Sequence, residues 1–317
     1  MPTHFRSLMS YDRLVSYLQT HSLWGEIMEQ GKKIAIIGGD ARYLPLIHAL
    51  NERDYIDIVI LGFDKVEQSY TAVKQTTLDR LQIDELSAFV LPITGIDVNG
   101  KIETMFSTHT IQLTEDWFLN LPNDCIVFTG IANQLLKDYC KKAGLQLIEL
   151  MSRDDVAIYN SIPTAEGTIM LAIQNTDITI HHSNVFVFGF GRVGETTANS
   201  FHGLGANITV VSHDRKELAR AFERGYETLL LDNVNDQVTN CDILINTIPH
   251  PVIGEEILQY LNNQALIIDL ASKPGGVDFE YAKARAIEAI HALGLPGMVA
   301  PKTAGVIIAG CIADLIQ

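Results

Sequence analysis

Gly189-Phe190-Gly191-Arg192-Val193-Gly194 places three glycines at the spacing that cradles a dinucleotide pyrophosphate. The first permits a tight strand-to-helix turn, the second lets backbone approach the phosphates, and the third lets helix pack on strand. The helix that follows offers its unpaired N–H groups to the phosphate charge. An apolar run, Val185–Phe188, precedes the loop. Glu195–His202 continues as helix, and Ala206–Val211 forms the next strand. A βαβ unit of about thirty residues therefore supports the motif. Beyond that second strand a carboxylate usually accepts the adenosine ribose hydroxyls of NAD. Here Ser212 stands there, followed by His213, Asp214 and Arg215. Serine does not repel a 2′-phosphate, and His213 with Arg215 can pair with one, so NADP is expected over NAD. A swing of Asp214 back to the ribose is the competing reading, and it keeps NAD open. Two later runs, Asp242–Pro249 and Ala265–Ser272, read as strands whose carboxyl ends face the cofactor. Thr247, Pro249, Asp269 and Ala271 are the residues expected on the nicotinamide side.

The loop lies past the middle of the chain, so something sizeable precedes it. From Lys33 the pattern is again βαβ: Ile34–Ile37, a turn at Gly38-Gly39-Asp40, a helix over Ala41–Asn51, and a strand at Ile58–Leu61. Further strands are expected at Ala88–Pro92, Cys125–Phe128 and Leu145–Leu150. Gly38-Gly39-Asp40 lacks the spaced glycines, and Asp40 sets a carboxylate where phosphate would sit, so this unit reads as a substrate domain. Ser161 with Pro163 reads as a helix start, giving a connecting helix over Thr164–Thr176. The final apolar helix, to Gln317, is expected to return to the first domain.

These elements imply an α/β chain of two doubly wound Rossmann-like domains with a cleft between them. The expected boundaries are 31–160 plus 303–317 for the catalytic domain and 161–302 for the dinucleotide domain. Residues 1–30 form an extension, with Tyr11, Leu14, Val15 and Leu18 on one helical face; alternatively Met28 is the ordinary start.

Composition narrows the class. At 317 residues, 47% of them hydrophobic, two cores are affordable. A net charge of −15 argues against nucleic acid and anionic membrane as partners. Cys125, Cys140, Cys241 and Cys311 are scattered without a CxxC pair, which suits buried thiols in a reducing cytoplasm and no metal site.

Several blocks resemble the dipicolinate synthase A-subunit family of spore-forming bacteria, related in architecture to formate, alanine and 2-hydroxyacid dehydrogenases. They are Ile36–Arg42, the run from Arg153 through Gly167 to Ile173, Ile245–Pro249, Asp269–Gly276 and Gly294–Gly305. The resemblance covers nearly everything from Lys33 to Gln317. It implies NADP-dependent oxidation of a reduced cyclic dipicolinate precursor, dihydrodipicolinate or its hydrated tetrahydro form, to pyridine-2,6-dicarboxylate during sporulation. It also implies the flavoprotein-like B-subunit of dipicolinate synthase as partner, a homo-oligomer, and the mother-cell cytoplasm as the location.

A dicarboxylate ring needs cations or helix-end N–H groups at two places, and its oxidation needs a base for the departing proton. Lys302, Asp154 and Asp155 are the catalytic candidates. Arg42, Arg153 and Thr303 are the substrate-binding candidates, with Asn160, Ser161 and Thr164 at the connecting helix's start. Two other functions fit the same sequence. A 2-hydroxyacid dehydrogenase would require a catalytic histidine, for which His250 and His291 are the nearest alternatives where this chain has Pro301-Lys302-Thr303. A nucleotide-sensing scaffold would leave the chemistry to its partner.

Overall fold

The structure, a computed structural model, describes residues 31–67 and 73–317. The helical face expected at Tyr11–Leu18 lies outside the described residues. The chain divides into two compact units: residues up to Val156 together with Pro301–Gln317, and Ala157–Ala300.

The first unit opens with β1 (Lys32–Ile37), α1 (Tyr43–Asn51), β2 (Ile56–Leu61), β3 (Lys74–Gln75) and β4 (Ala88–Val90). A short antiparallel ribbon, β5 (Lys101–Ile102) with β6 (Ile111–Gln112), and α2 (Glu115–Leu119) come next. Then follow β7 (Ile126–Thr129), α3 (Gln134–Ala143) and β8 (Gln146–Glu149). Its six parallel strands take the order β3-β2-β1-β4-β7-β8. Central parallel strands are covered on both faces, which is why Ile34, Ala35, Ile36 and Ile37 form an unbroken apolar run, each 0% exposed. Each such fully buried aliphatic side chain contributes about 1.5–3 kcal/mol.

The 21-residue helix α4 (Asp154–Gln174) begins at the end of the first unit and belongs to the second from Ala157. The second unit continues with β9 (Asn184–Phe188), α5 (Arg192–Gly203), β10 (Asn207–Ser212), α6 (Arg215–Glu223) and β11 (Glu227–Leu230). It ends with β12 (Ile243–Asn246), α7 (Glu255–Leu258), β13 (Leu266–Asp269), α8 (Phe279–Ala284), β14 (Glu288–His291) and α9 (Leu295–Val299). Six parallel strands again take the doubly wound order, β11-β10-β9-β12-β13-β14. One face of the sheet is covered by residues such as Val187, Ala198 and Phe201. The other is covered by Phe186, Phe188, Leu258 and Ala282. The last helix, α10 (Pro301–Leu315), returns to the first unit and packs on α1 closely at Gly305, where a Cβ would stand 2.8 Å from Pro45 Cγ and 3.0 Å from Leu46 N; Ala304, Ile308 and Ile312 are buried.

One expectation fails. Thr164–Thr176 is not where the connecting helix begins: α4 starts at Asp154 and carries Pro163 inside it. The two acidic residues of its first turn, Asp154 and Asp155, favour a start there. Within the helix, hydroxyls bond back to the preceding turn, Ser161 Oγ to Ile158 O at 2.6 Å and Thr164 Oγ1 to Asn160 O at 2.8 Å. A proline there forfeits one backbone hydrogen bond, and the buried face of the helix holds the chain through it.

Candidate active site

Ligands of doubly wound sheets bind beyond the strands' carboxyl ends, where strand order reverses. In the second unit that point lies between β9 and β12. Gly189 ends β9 at φ +85°, and a Cβ on Gly194 would stand 2.2 Å from Gly189 O. The helix α5 therefore sits directly on the strand. Thr247 closes the other side: its N–H and Oγ1 both donate to Phe188 O, at 2.9 and 2.8 Å. Gly191 is the N-cap of α5 and supplies no side-chain cap, so Arg192, Val193 and Gly194 begin a helix whose first-turn N–H groups face outward from the loop. This cradle fits a dinucleotide pyrophosphate.

The corresponding point of the first unit, between β1 and β4, is closed. Gly39, at φ +112°, donates its N–H to Glu103 O at 2.9 Å, and Met105 N–H returns to Gly39 O at 3.2 Å. A Cβ there would strike the Tyr43 ring at 2.3 Å. The buried Tyr43 hydroxyl donates to Leu91 O at 2.6 Å, at the end of β4. The chain itself occupies the space that a phosphate would need.

Ser212 is buried, and its hydroxyl donates to Glu217 Oε2 at 2.7 Å while accepting from Asp214 N–H at 3.0 Å. Asp214 is the N-cap of α6, its Oδ1 accepting from Lys216 N–H at 2.8 Å. His213 and Arg215 are exposed. Glu217 escapes a reading of the strand end because its carboxylate arrives from the first turn of the next helix. An acid at that turn is the signal that marks it.

On the nicotinamide side, Pro249 is exposed and Thr247 half-buried. Asp269 and Ala271 are buried, at 0% and 4%. Asp269 is committed to its own loop. Its Oδ1 accepts from Asn246 Nδ2 at 2.8 Å and Ala271 N–H at 3.0 Å, and its Oδ2 accepts from Gly276 N–H at 2.8 Å. It staples residues 271–276 to the ends of β12 and β13.

The candidate substrate residues fall into two groups. In the first unit Arg42 is buried and bound to Asp40, with Nη2–Oδ2 at 2.5 Å and Nε–Oδ1 at 2.9 Å. Burial pushes the Asp40 carboxyl up, but the hydrogen bonds and charge of Arg42 outweigh it and leave Asp40 below the usual carboxylate range. Arg153 holds Asp155 bidentately, at 3.0 and 2.8 Å, and its hydrogen bond lowers the Asp155 carboxyl. Asp154 is exposed at the first position of α4, and Lys302 is exposed in the first turn of α10 beside half-buried Thr303. In the second unit Asn160 and Ser161 are buried in mid-helix, not at a helix start, and Thr164 is half-buried. Ser161 Oγ lies 2.6 Å from Thr196 Oγ1, tying α4 to the dinucleotide helix α5. A carboxylate therefore finds no helix N-terminus at Asn160, Ser161 and Thr164.

His291 Nε2 lies 3.0 Å from Ala271 O and its ring stacks on Phe279, while His250 is exposed. Among the described residues no group of three His, Cys, Asp or Glu could hold a metal ion, and no helix is long and apolar enough to cross a membrane. All four cysteines are free and buried.

Comparison with known proteins agrees with this division. The family model of the N-terminal domain of the dipicolinate synthase A-subunit matches residues 33–151, and that of the S-adenosyl-L-homocysteine hydrolase NAD-binding domain matches 164–293. The dipicolinate synthase A-subunit of Bacillus subtilis (strain 168) is 43% identical over 289 residues, covering 91% of this chain and 97% of that protein. The crystal structure of the dipicolinate synthase A-subunit from Bacillus halodurans is 45% identical and superposes with a TM-score of 0.88, covering 92% of this chain and 99% of that one. A transhydrogenase from Sinorhizobium meliloti, at 13% identity and a TM-score of 0.63 over 89% of this chain and 93% of that one, shares the fold. A domain matched by an NAD-binding family model thus follows one matched by the dipicolinate synthase A-subunit N-terminal model, and the chain belongs to the dipicolinate synthase A-subunit family.

Proposed function

We propose that the chain oxidises a reduced cyclic dipicolinate precursor to pyridine-2,6-dicarboxylate. The observation that carries this reading is the pairing of a dinucleotide cradle in the second unit with a first unit whose equivalent point is closed by Tyr43 and residues 103–105. One unit is thus left for substrate and the other for cofactor. The substrate domain corresponds to 31–160 with 303–317, and the dinucleotide domain to 161–302.

A bound nicotinamide supplies the hydride acceptor. From dihydrodipicolinate, a ring C–H bond gives hydride and a second ring position gives a proton; the hydrated tetrahydro form loses water as well. Lys302, with Thr303, pairs with a ring carboxylate. Asp154 takes the proton, a role less suited to Asp155, whose hydrogen bonds from Arg153 make it a weaker base. Arg42 and Arg153 are already paired with Asp40 and Asp155, so each reaches a second carboxylate only through donors left over from those pairs. The reading includes the B-subunit of dipicolinate synthase as partner, a homo-oligomer, and the mother-cell cytoplasm as location. For the cofactor, His213 and Arg215 favour NADP by charge and Ser212 does not repel a 2′-phosphate, whereas the Glu217 carboxylate opposes it.

The test is to supply the precursor and an oxidised nicotinamide cofactor to this chain, to the partner protein, and to both. Dipicolinate formed wherever this chain is present supports the reading. Dipicolinate formed by the partner alone refutes it. Oxidation of lactate-like acids, abolished by His250→Ala, would establish the 2-hydroxyacid function instead.

A further inference from the structure

We infer that Lys273 binds a carboxylate of the substrate beside the nicotinamide, a role that rests on the oxidation proposed above. Lys302 takes one ring carboxylate; the second is left with Arg42 and Arg153, whose guanidinium groups already hold Asp40 and Asp155. Lys273 belongs to the loop 271–276, which follows the carboxyl end of β13, next in the sheet to β12. That end of a doubly wound sheet is where ligands bind, and β12 and β13 lie on the nicotinamide side of the glycine loop.

The loop is a rigid mount. Asp269 accepts from the N–H groups of Ala271 and Gly276. Gly276 O accepts from the N–H groups of Val252 and Ile253, at 3.1 and 2.9 Å, and Ser272 O from that of Gly275 at 2.9 Å. Both glycines are walled in. A Cβ on Gly275 would stand 2.6 Å from Asp269 Oδ2, and one on Gly276 would stand 2.6 Å from Ile248 O and 2.8 Å from His250 O. The loop is thereby locked to residues 246–250, which Thr247 ties to Phe188 at the end of β9. Ala271, Gly275 and Gly276 are buried, so Ser272, Lys273 and Pro274 are the part of the loop that faces solvent. Lys33, Lys137 and Lys142 each hold a glutamate, whereas among the described residues no carboxylate lies within ion-pair reach of Lys273. A ring that gives hydride lies against the nicotinamide, so a carboxylate on its edge comes within reach of a side chain mounted there. The Lys273 ammonium donates to that carboxylate in a charge-assisted hydrogen bond.

The experiment compares wild type, Lys273→Ala, Lys273→Arg and Lys283→Ala, the last removing an equal charge from an exposed position of α8. Calorimetry on the full chain with saturating NADP or NAD measures dipicolinate affinity, and turnover of the precursor with the partner protein present gives KM. Lys273→Ala should weaken both by about ten- to a hundredfold, the scale of a lost charged contact, with dinucleotide affinity unchanged. Lys273→Arg should recover much of the loss, and Lys283→Ala should match wild type. The inference is overturned if wild type binds no dipicolinate, or if Lys273→Ala leaves dipicolinate affinity and KM unchanged. An equal loss in Lys283→Ala, or an equal loss of dinucleotide affinity in Lys273→Ala, overturns it too. A wild type that binds dipicolinate but forms none overturns the proposed oxidation instead, and the binding comparison, which needs no turnover, still decides the role of Lys273.

Discussion

Replacing Asp269 separates two roles that a buried strand-end acid can play. If it only staples the 271–276 loop, its loss costs stability first; if it reads the nicotinamide, its loss costs affinity first. The side chain is 0% exposed and its two oxygens satisfy three donors, those of Asn246, Ala271 and Gly276. Each buried donor left without an acceptor costs about 1–3 kcal/mol. The three share one group and do not add, so Asp269→Ala should lose about 3–5 kcal/mol. Asp269→Asn should lose about 2 kcal/mol, because the amide can keep its oxygen toward Asn246 and Ala271 while its NH2 faces Gly276 N–H. Against a typical folding stability of about 5–15 kcal/mol these are large fractions. Urea unfolding followed by circular dichroism gives the stability of each variant, and calorimetry gives the dinucleotide affinity of the folded protein. A stability change within about 0.5 kcal/mol for both variants, with dinucleotide affinity lowered tenfold or more, would refute the staple.

Three further perturbations test other parts of the account. Lys302→Ala should raise the substrate KM or lower kcat by about one to two orders of magnitude, and unchanged kinetics would remove Lys302 from the site. Asp40 lies below its ordinary value when folded, so its contribution is present above about pH 4 and lost as pH falls through the folded value. The stability gap between wild type and Asp40→Asn should therefore shrink in acid, and a gap independent of pH would contradict the Arg42 pairing. Burial pushes the thiols of Cys125 and Cys140 up to about 12 and that of Cys311 up to about 11, and it raises Cys241 as well. The native protein should therefore resist thiol reagents at neutral pH and react fully only in denaturant; rapid stoichiometric labelling of native protein would contradict that burial.

The glycine loop and the central strands of both sheets are legible in the sequence because their signals are local, whereas β3, β11 and β14 are not among the strands expected there. A glycine spacing, β-branched runs and strand-end turns each act within a few residues. Pro163 misleads because proline favours the first turn of a helix, and nothing near it reveals that Asp154 and Asp155 begin that helix eight or nine residues earlier. Asp269 is legible as a strand-end acid, but the path of 271–276 that turns its oxygens inward is not. Glu217 is hidden because its carboxylate reaches the loop across a helical turn, through Ser212 and Phe190, which pattern reading along one strand does not join.

Oxidation by this chain is tested most directly by mixing purified chain, reduced precursor and oxidised nicotinamide cofactor and following dipicolinate and reduced cofactor together. The two should appear in equal amounts, and Gly194→Val, which drives side-chain atoms into Gly189 O, should abolish both. Cofactor bound by the wild type with neither product formed, whether or not the partner protein is added, would contradict it.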